Sequence, residues 1–206
     1  MEIKYLGLSS FRMRGKTATV ITDPYDSDMV GIKYPKEKAD IVTISHDHKD
    51  HNKSDQVKEV KKVLKGPGEY EISEVSIIGV PSFHDDKKGE ERGKNTIYVF
   101  EMDELRIAHL GDLGHKLKEK HIEEMGEIDI LMVPVGGKFT IDAKTAVEVV
   151  REVDPKIIIP MHFLIPNMNK KEFGELSDLD PFLNEIGLPV GEMDKLSVKS
   201  ETLGED

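Results

Sequence analysis

The stretch Ser45-His46-Asp47-His48-Lys49-Asp50-His51 carries the pattern His-x-His-x-Asp-His. His46 and His48 are two residues apart, so on an extended turn both imidazoles can point the same way and share a metal ion. Asp50 and His51 then point toward a neighbouring position about 3.5–4 Å away, which is the separation found in two-metal sites. The pattern therefore favours a binuclear metal centre over a polar surface loop.

Four donors cannot complete the coordination of two ions, so further ligands must come from elsewhere in the chain. The motif follows an apolar segment, residues 41–45, that reads as a strand, and strand ends deliver side chains to a crevice. Four other apolar strands also end in a histidine or an aspartate, namely Asp23, His84, Asp112 and His162. We expect these five strand ends to meet at one edge of a sheet.

The remaining sequence alternates short apolar segments with polar turns. Residues 128–133 and 156–159 are almost continuously apolar, which predicts strands buried on both faces beneath covering helices. An amphipathic helix lies between them, with Ala146, Val149, Val150 and Val153 at helical spacing. Helices are also predicted over residues 54–64 and 116–125. The remaining strands are predicted at residues 18–22, 41–45, 75–80, 96–100 and 105–110.

Composition limits the possible functions. The chain has 206 residues, with 29 Lys and Arg against 40 Asp and Glu, which gives a formal net charge of −11. This excess of acid argues against a nucleic-acid partner, because phosphate binding depends on clustered cations. Cysteine is absent, so no thiolate nucleophile or thiolate ligand is available. With no apolar run near the roughly 20 residues that cross a bilayer and no signal-peptide pattern, we expect one cytoplasmic domain over residues 1–206 without a membrane partner.

The order and spacing of the candidate ligands, from Asp23 to His162, resemble the metallo-β-lactamase superfamily. This resemblance implies an α/β fold, the four-layer αββα sandwich, and the activity of a binuclear metallohydrolase. It also implies a role for each ligand. The first metal would be held by His46, His48 and His84, the second by Asp50, His51 and His162, with Asp112 bridging them and Asp23 supporting the cluster by hydrogen bonds.

Within the superfamily the chain is most similar to the ascorbate-6-phosphate-lactonase-like branch of small zinc-dependent hydrolases. The segments that carry this similarity are Gly111-Asp112-Leu113-Gly114-His115, Val135-Gly136-Gly137 and Thr140-Ile141-Asp142-Ala143. The chain is too short for the extra domain of the nuclease members, and it lacks the cysteine ligand of the main β-lactamase subclass. Five imidazoles and two carboxylates favour two Zn²⁺ ions, although Mn²⁺ or Fe would also suit such donors.

Two divalent cations would lower the pKa of a bridging water toward about 7, so that hydroxide is available at neutral pH. Asp50 is predicted to orient this hydroxide. His115 is a candidate for contacting a substrate anion or protonating the leaving group. The alternative interpretation is that His115 is a surface histidine at the start of a helix. Lys138 either contacts a phosphate or belongs to a plain strand-to-helix loop. His109 and His121 are interpreted as structural.

Three functions remain open at this point. The first is opening of an ester or lactone bond in a small, in some cases phosphorylated, substrate, and the second is hydrolysis of a phosphodiester by the same hydroxide. The third is a non-catalytic, metal-stabilised binding scaffold. The polar loop of residues 85–94 is either a solvated hairpin connection or a mobile flap beside the site. The tail after Thr202 is expected to fray, and the chain is compatible with a homo-oligomer.

Overall fold

Two six-stranded mixed sheets form the centre of the protein, as a computed structural model that describes residues 1–203 shows. The expected fraying of the tail falls mainly on residues 204–206, which lie outside the described residues. The strands are β1 Glu2–Gly7, β2 Ser10–Arg14, β3 Thr19–Thr22, β4 Ile41–Ile44, β5 Lys62–Lys65, β6 Gly68–Ile72, β7 Val75–Phe83, β8 Lys94–Met102, β9 Leu105–His109, β10 Ile130–Pro134, β11 Ile157–Met161 and β12 Leu196–Ser197.

Each sheet combines an antiparallel part with a parallel part. The first has the order β12-β1-β2-β3-β4-β5, and its parallel part is formed by β3, β4 and β5. The second has the order β11-β10-β9-β8-β7-β6, and its parallel part is formed by β9, β10 and β11. Parallel neighbours finish at the same edge, so the ends of β3 and β4 lie together, as do the ends of β9, β10 and β11.

Within residues 1–203, five α-helices cover the outer faces of the two sheets: α1 Ser27–Val30, α2 Glu119–Met125, α3 Ala143–Val153, α4 Lys170–Phe173 and α5 Asp180–Ile186. Helix α3 begins where Asp142 accepts a hydrogen bond from the Thr145 backbone N–H at 2.8 Å and ends at Asp154, which is left-handed with φ 51°. Its apolar face is fully buried against the second sheet, as the periodicity predicts. None of the helices in residues 1–203 is long and apolar enough to cross a membrane.

Three hydrophobic clusters separate the layers. One lies between the sheets, and it receives Ile41 from β4 together with Ile130 and Met132 from β10. The alternate side chains of β10, Leu131 and Val133, point to the other face and pack beneath helices α2, α3 and α5. A third cluster lies outside the first sheet, under α1 and α4. The predicted four-layer αββα sandwich is therefore confirmed.

Three sequence predictions of local structure differ from the structure. Residues 54–64 do not form a helix: the structure has a 3-10 turn at Ser54–Gln56 and strand β5 at Lys62–Lys65. Glu59 has a φ of 61°, which an α-helix does not allow, and β5 gains parallel hydrogen bonds from β4. Strand β11 is half-buried rather than buried on both faces, because it is the outer strand of its sheet. The helix predicted from residue 116 begins only at Glu119.

The strand ends that carry candidate ligands meet, but not on one sheet. Strands β3 and β4 belong to the first sheet, whereas β7, β9 and β11 belong to the second. Backbone hydrogen bonds join the two sheets at this edge, from Thr96 N–H to Ser45 O and from His162 N–H to Leu8 O, both at 2.9 Å. The candidate site is therefore a seam between the sheets, and the expectation of a single sheet edge is corrected.

Candidate metal centre

Three imidazoles form the first donor group at this seam. His46 and His48 come from the turn after β4, and His84 directly follows β7. Their candidate ligand atoms all lie within 4.8 Å of one another. The ring centroid of His46 is 4.6 Å from that of His48 and 4.8 Å from that of His84. His46 and His84 are buried, whereas His48 is exposed, so this group borders solvent on one side.

The second donor group consists of Asp50, His51 and His162, whose candidate ligand atoms also lie within 4.8 Å of one another. All three residues are buried. The rings of His51 and His162 are stacked, with centroids 5.7 Å apart and planes 10° from parallel. Residues distant in sequence therefore present donors to one small volume.

Asp112 lies between the two groups. Its Oδ2 atom is 3.2 Å from Nε2 of His84 in the first group, and 3.2 Å from Nε2 of both His51 and His162 in the second. The Asp112 backbone N–H donates to Asn95 Oδ1 at 3.0 Å, and the Asn95 amide in turn donates to Leu110 O at 2.9 Å. This arrangement fixes the turn after β9 and places one carboxylate within reach of both groups.

Asp23 accepts three hydrogen bonds behind the centre, from the Ser45 N–H at 2.8 Å, from Ser45 Oγ at 2.5 Å and from His51 Nδ1 at 3.0 Å. Because an ionised carboxylate only accepts, His51 carries a proton on Nδ1, directed at Asp23, and its Nε2 atom faces the centre. Ser45 Oγ is also 2.9 Å from His46 Nδ1. Since this hydroxyl donates to Asp23, it accepts from His46, which leaves the Nε2 lone pair of His46 free.

Buried atoms without partners give a direct test of whether the donors fit metal ions. Among the described residues, the buried atoms without a partner include four that belong to this centre: His46 Nε2, His51 Nε2, His162 Nε2 and Asp112 Oδ1. Leaving a buried polar atom unsatisfied costs about 1–3 kcal/mol, so a cluster of them calls for a ligand. Imidazole nitrogens and carboxylate oxygens are the donors that divalent transition metals take. The residues present therefore fit metal ions.

Burial and neighbouring charge set the protonation of these donors. Burial, reinforced by the nearby His51, lowers the pKa of His46 to about 3, so its imidazole is neutral and able to ligate. Burial opposes the charged form of Asp50, but the charge of His51 outweighs it and lowers its pKa to about 2. For His51 burial is outweighed by Asp112 and Asp50, which raise its pKa. In the metal-free chain a proton on His51 therefore balances carboxylates that a cation would otherwise neutralise.

A cavity of about 400 Å³ opens onto the centre. His48, Asp50, His84 and Asp112 contribute to its wall, and the rest of the lining includes apolar and charged side chains. These are Met29, Phe139, Phe173, Lys49, Arg92 and Glu172. The volume suits a small organic molecule.

The structure brings all seven predicted ligands together but gives His115 a different setting. The Phe83 backbone N–H donates to His115 Nε2 at 3.2 Å, so His115 Nδ1 carries the proton and donates to Lys116 O at 2.7 Å. Both ring nitrogens are thus engaged with backbone, and His115 is absent from the described lining of the cavity. We therefore correct its assignment as a substrate contact or proton donor: it ties the turn after Asp112 to the end of β7.

The other residues considered from sequence also have structural partners. The Lys138 ammonium is 2.5 Å from Glu175 Oε2, so it has a carboxylate partner at the surface. His109 donates through Nε2 to Ser9 O at 2.8 Å and accepts from the Gly111 N–H at 3.2 Å. His121 accepts from the Lys118 N–H at 2.9 Å at the start of α2. These last two settings agree with the structural interpretation of both histidines.

Sequence reasoning missed Ser45, Asn95 and Arg92. Ser45 and Asn95 act through hydrogen bonds to ligand residues, and Arg92 lines the cavity. The position of Ser45, directly before the histidine motif, was the available signal for a hydroxyl that orients His46. No sequence signal distinguishes Arg92 from other charged residues of the loop 85–94.

Gly136 leaves space for His162, and this gives a test of the local packing. A Cβ atom on Gly136 would lie 2.1 Å from the His162 carbonyl oxygen, and His162 itself has a φ of 53°. We expect Gly136→Ala to lower the free energy of unfolding by about 1–3 kcal/mol and to displace His162. Urea denaturation measures this change. The control is Gly191→Ala, where the nearest atom is Met193 Cε at 3.4 Å, and equal stability of the two variants would contradict the packing argument.

Comparison with known proteins identifies the class to which this fold and site belong. Residues 2–162 match the family model of the beta-lactamase superfamily domain, so the chain belongs to that superfamily. It is 37% identical to a candidate Zn-dependent hydrolase of the metallo-beta-lactamase superfamily from Thermotoga maritima, whose crystal structure it matches with a TM-score of 0.78 over 96% of this chain and 91% of the other.

Curated relatives define the activity more closely. A metal-dependent hydrolase of Staphylothermus marinus is 29% identical over 192 residues, which covers 78% of this chain and 82% of that protein. Another, from Carboxydothermus hydrogenoformans, is 26% identical over 207 residues and covers 86% and 91%. Together with the two groups of candidate metal ligands, these similarities identify the chain as a metal-dependent hydrolase of the metallo-β-lactamase superfamily.

Proposed function

We propose that this hydrolase is binuclear and opens an ester or lactone bond in a small, in some cases phosphorylated, substrate. The observation that carries the proposal is the position of Asp112, whose Oδ2 atom lies 3.2 Å from nitrogen donors of both three-residue groups. A single cation would leave one group of buried donors without a partner. We also propose that the two ions are Zn²⁺ and that the protein is cytoplasmic.

His46, His48 and His84 would hold one cation and Asp50, His51 and His162 the other, with Asp112 shared between them. Two bound divalent cations would make water a nucleophile near neutral pH and offset negative charge that develops on the substrate. The chain itself keeps the donors ready. Asp23 and Ser45 fix the ring protons of His51 and His46 on Nδ1, so neither ring has to reorient when a metal or a substrate binds.

Asp50 has a second role in this proposal. Its carboxylate stays ionised, since its pKa is lowered to about 2, and it lines the 400 Å³ cavity. A carboxylate there can accept a hydrogen bond from the attacking water and hold it toward the substrate carbon. Met29, Phe139 and Phe173 add apolar surface to the same cavity, and apolar surroundings strengthen the electrostatic interactions of a bound substrate. A small cyclic ester fits this volume and polarity better than a polymer does.

The proposed activity is tested by a panel of lactone, phosphodiester and β-lactam substrates with zinc- and manganese-loaded protein. We expect hydrolysis of lactones or esters, and we expect His48→Ala to lower turnover at least about a hundredfold, because the first cation loses one of its three imidazoles. His48 is exposed, so this change should not unfold the chain. The control is His121→Ala, a histidine in α2 outside both donor groups.

Each outcome of the panel separates two hypotheses. Preferential cleavage of the phosphodiester would replace the ester or lactone assignment by the phosphodiesterase alternative. Turnover that His48→Ala leaves unchanged would reject a catalytic metal centre. In that case the hypothesis of a non-catalytic binding scaffold would remain. Circular dichroism of His48→Ala and His121→Ala would establish that both variants are folded.

A further inference from the structure

A second, larger cavity adjoins the candidate metal centre. It has a volume of about 680 Å³ and shares Asp47, His48 and Arg92 with the smaller cavity. His46 also borders it, and its remaining wall comes from the ends of strands β4, β5, β7 and β8. Its volume is within the range of small-molecule pockets. A substrate at the centre can therefore extend into this space.

The charges around the larger cavity are opposite in sign to that of the whole chain. The chain carries a net charge of −11, yet the described lining contains three cations, Lys65, Arg92 and Lys94, and only one carboxylate, Asp47. Asp47 does not cancel this charge. Its side chain is 83% exposed and lies 3.9 Å from Lys65, which is a weak surface pair. The cavity is therefore a local positive site beside His46 and His48.

Arg92 is held in place without being neutralised. Its backbone N–H donates to Asp85 Oδ2 at 2.8 Å, within a loop whose other N–H groups also converge on the buried Asp85 carboxylate. The Arg92 guanidinium lies 6.0 Å from the centroid of the Phe139 ring and donates to Lys138 O at 3.3 Å. Among residues 1–203 no carboxylate lies within 4.0 Å of it. A half-buried guanidinium kept in this way is prepared for an anionic ligand.

We propose that Arg92, assisted by Lys94 and Lys65, binds an anionic group of the substrate, a phosphate or a carboxylate, in the 680 Å³ cavity while the bond to be cleaved lies at the metal centre. The inference rests on the proposed hydrolase function and adds to it the cavity and the side chains that would bind the negatively charged group of the ester or lactone. It also assigns the loop 85–94 a role in recognition, which fits its position beside the site better than a solvated connection does.

Three aryl esters of similar size test this inference with the zinc-loaded enzyme: a neutral butyrate, a succinate half-ester with a free carboxylate, and a phosphoglycolate ester. We expect at least one anionic ester to have a kcat/KM at least about tenfold above that of the butyrate. Arg92→Gln should remove this preference by raising KM, with little change in kcat, because charged hydrogen bonds to the anion are lost. Arg92→Lys should retain much of the preference. Arg151→Gln, which changes an exposed arginine on α3, is the matched control.

The preferred ester identifies the anionic group as phosphate or carboxylate. Equal kcat/KM values for all three esters, or a preference that Arg92→Gln leaves unchanged, would overturn the inference while the hydrolase function stands. If no ester is cleaved, the proposed function fails, and calorimetric titration of the zinc-loaded protein with inorganic phosphate and with succinate decides the inference by itself. At least about tenfold weaker binding to Arg92→Gln than to Arg151→Gln supports it, and equal binding overturns it.

Discussion

Replacing Asp112 by asparagine is expected to lower hydrolytic turnover by about a thousandfold or more. The substitution keeps the size of the side chain but removes the charge whose Oδ2 atom lies 3.2 Å from donors of both groups. A cation pair supplies several kcal/mol of charge stabilisation in the transition state, and about 4 kcal/mol corresponds to a factor of about a thousand. Initial rates on the best substrate of the panel measure the effect.

The control for this substitution is Asp129→Asn. Asp129 precedes β10 at the opposite end of the sheet, where it accepts from the Arg106 N–H at 2.8 Å and pairs with Lys156. We expect its turnover to remain within about twofold of the unmodified chain. If Asp112→Asn behaves like Asp129→Asn, Asp112 is not shared between two cations and the binuclear account is wrong.

Removal of metal is the second large effect. A ligand present at 1,000 times its dissociation constant stabilises the folded state by about 4 kcal/mol, and 1 kcal/mol changes the melting temperature of a domain of this size by about 2–4 °C. Dialysis against a chelator should therefore lower the melting temperature by at least about 8 °C for each tightly held ion. The physical reason is that removal of the metal leaves buried donor atoms of the centre, such as His46 Nε2 and His162 Nε2, without a partner.

Differential scanning calorimetry with and without chelator measures this shift, and re-addition of Zn²⁺ should restore the original melting temperature. In Asp112→Asn the chelator should have a much smaller effect, because the shared ligand is already missing. An unmodified chain that melts at the same temperature in both conditions would show that the donor cluster holds no tightly bound ion.

The sequence was most informative where chemistry and periodicity coincide. The apolar segment before the motif His46–His51 predicted that the motif lies at a strand end, and the structure places it directly after β4. The continuous apolar run of residues 130–133 predicted the buried strand β10. Each of the isolated candidate ligands His84, Asp112 and His162 was recognisable only because an apolar strand precedes it. These features are local, so a single pass along the chain detects them.

The rest depends on contacts between distant residues. The segment 54–64 has apolar residues at helical spacing, but Val57 and Leu64 pack in different clusters and the pairing of β5 with β4 determines its structure. The imidazole of His115 is a side chain of the kind that acts in catalysis, yet its two ring nitrogens form hydrogen bonds with backbone groups of Phe83 and Lys116. The place of Arg92 depends on a loop folded around Asp85, which no periodicity indicates.

The most direct test of the account is the number and position of metal ions in the metal-replete chain. Elemental analysis combined with anomalous diffraction should find two ions per chain, one among His46, His48 and His84 and the other among Asp50, His51 and His162, with Asp112 contacting both. A single ion, no ion, or ions bound to other surface residues would contradict the account.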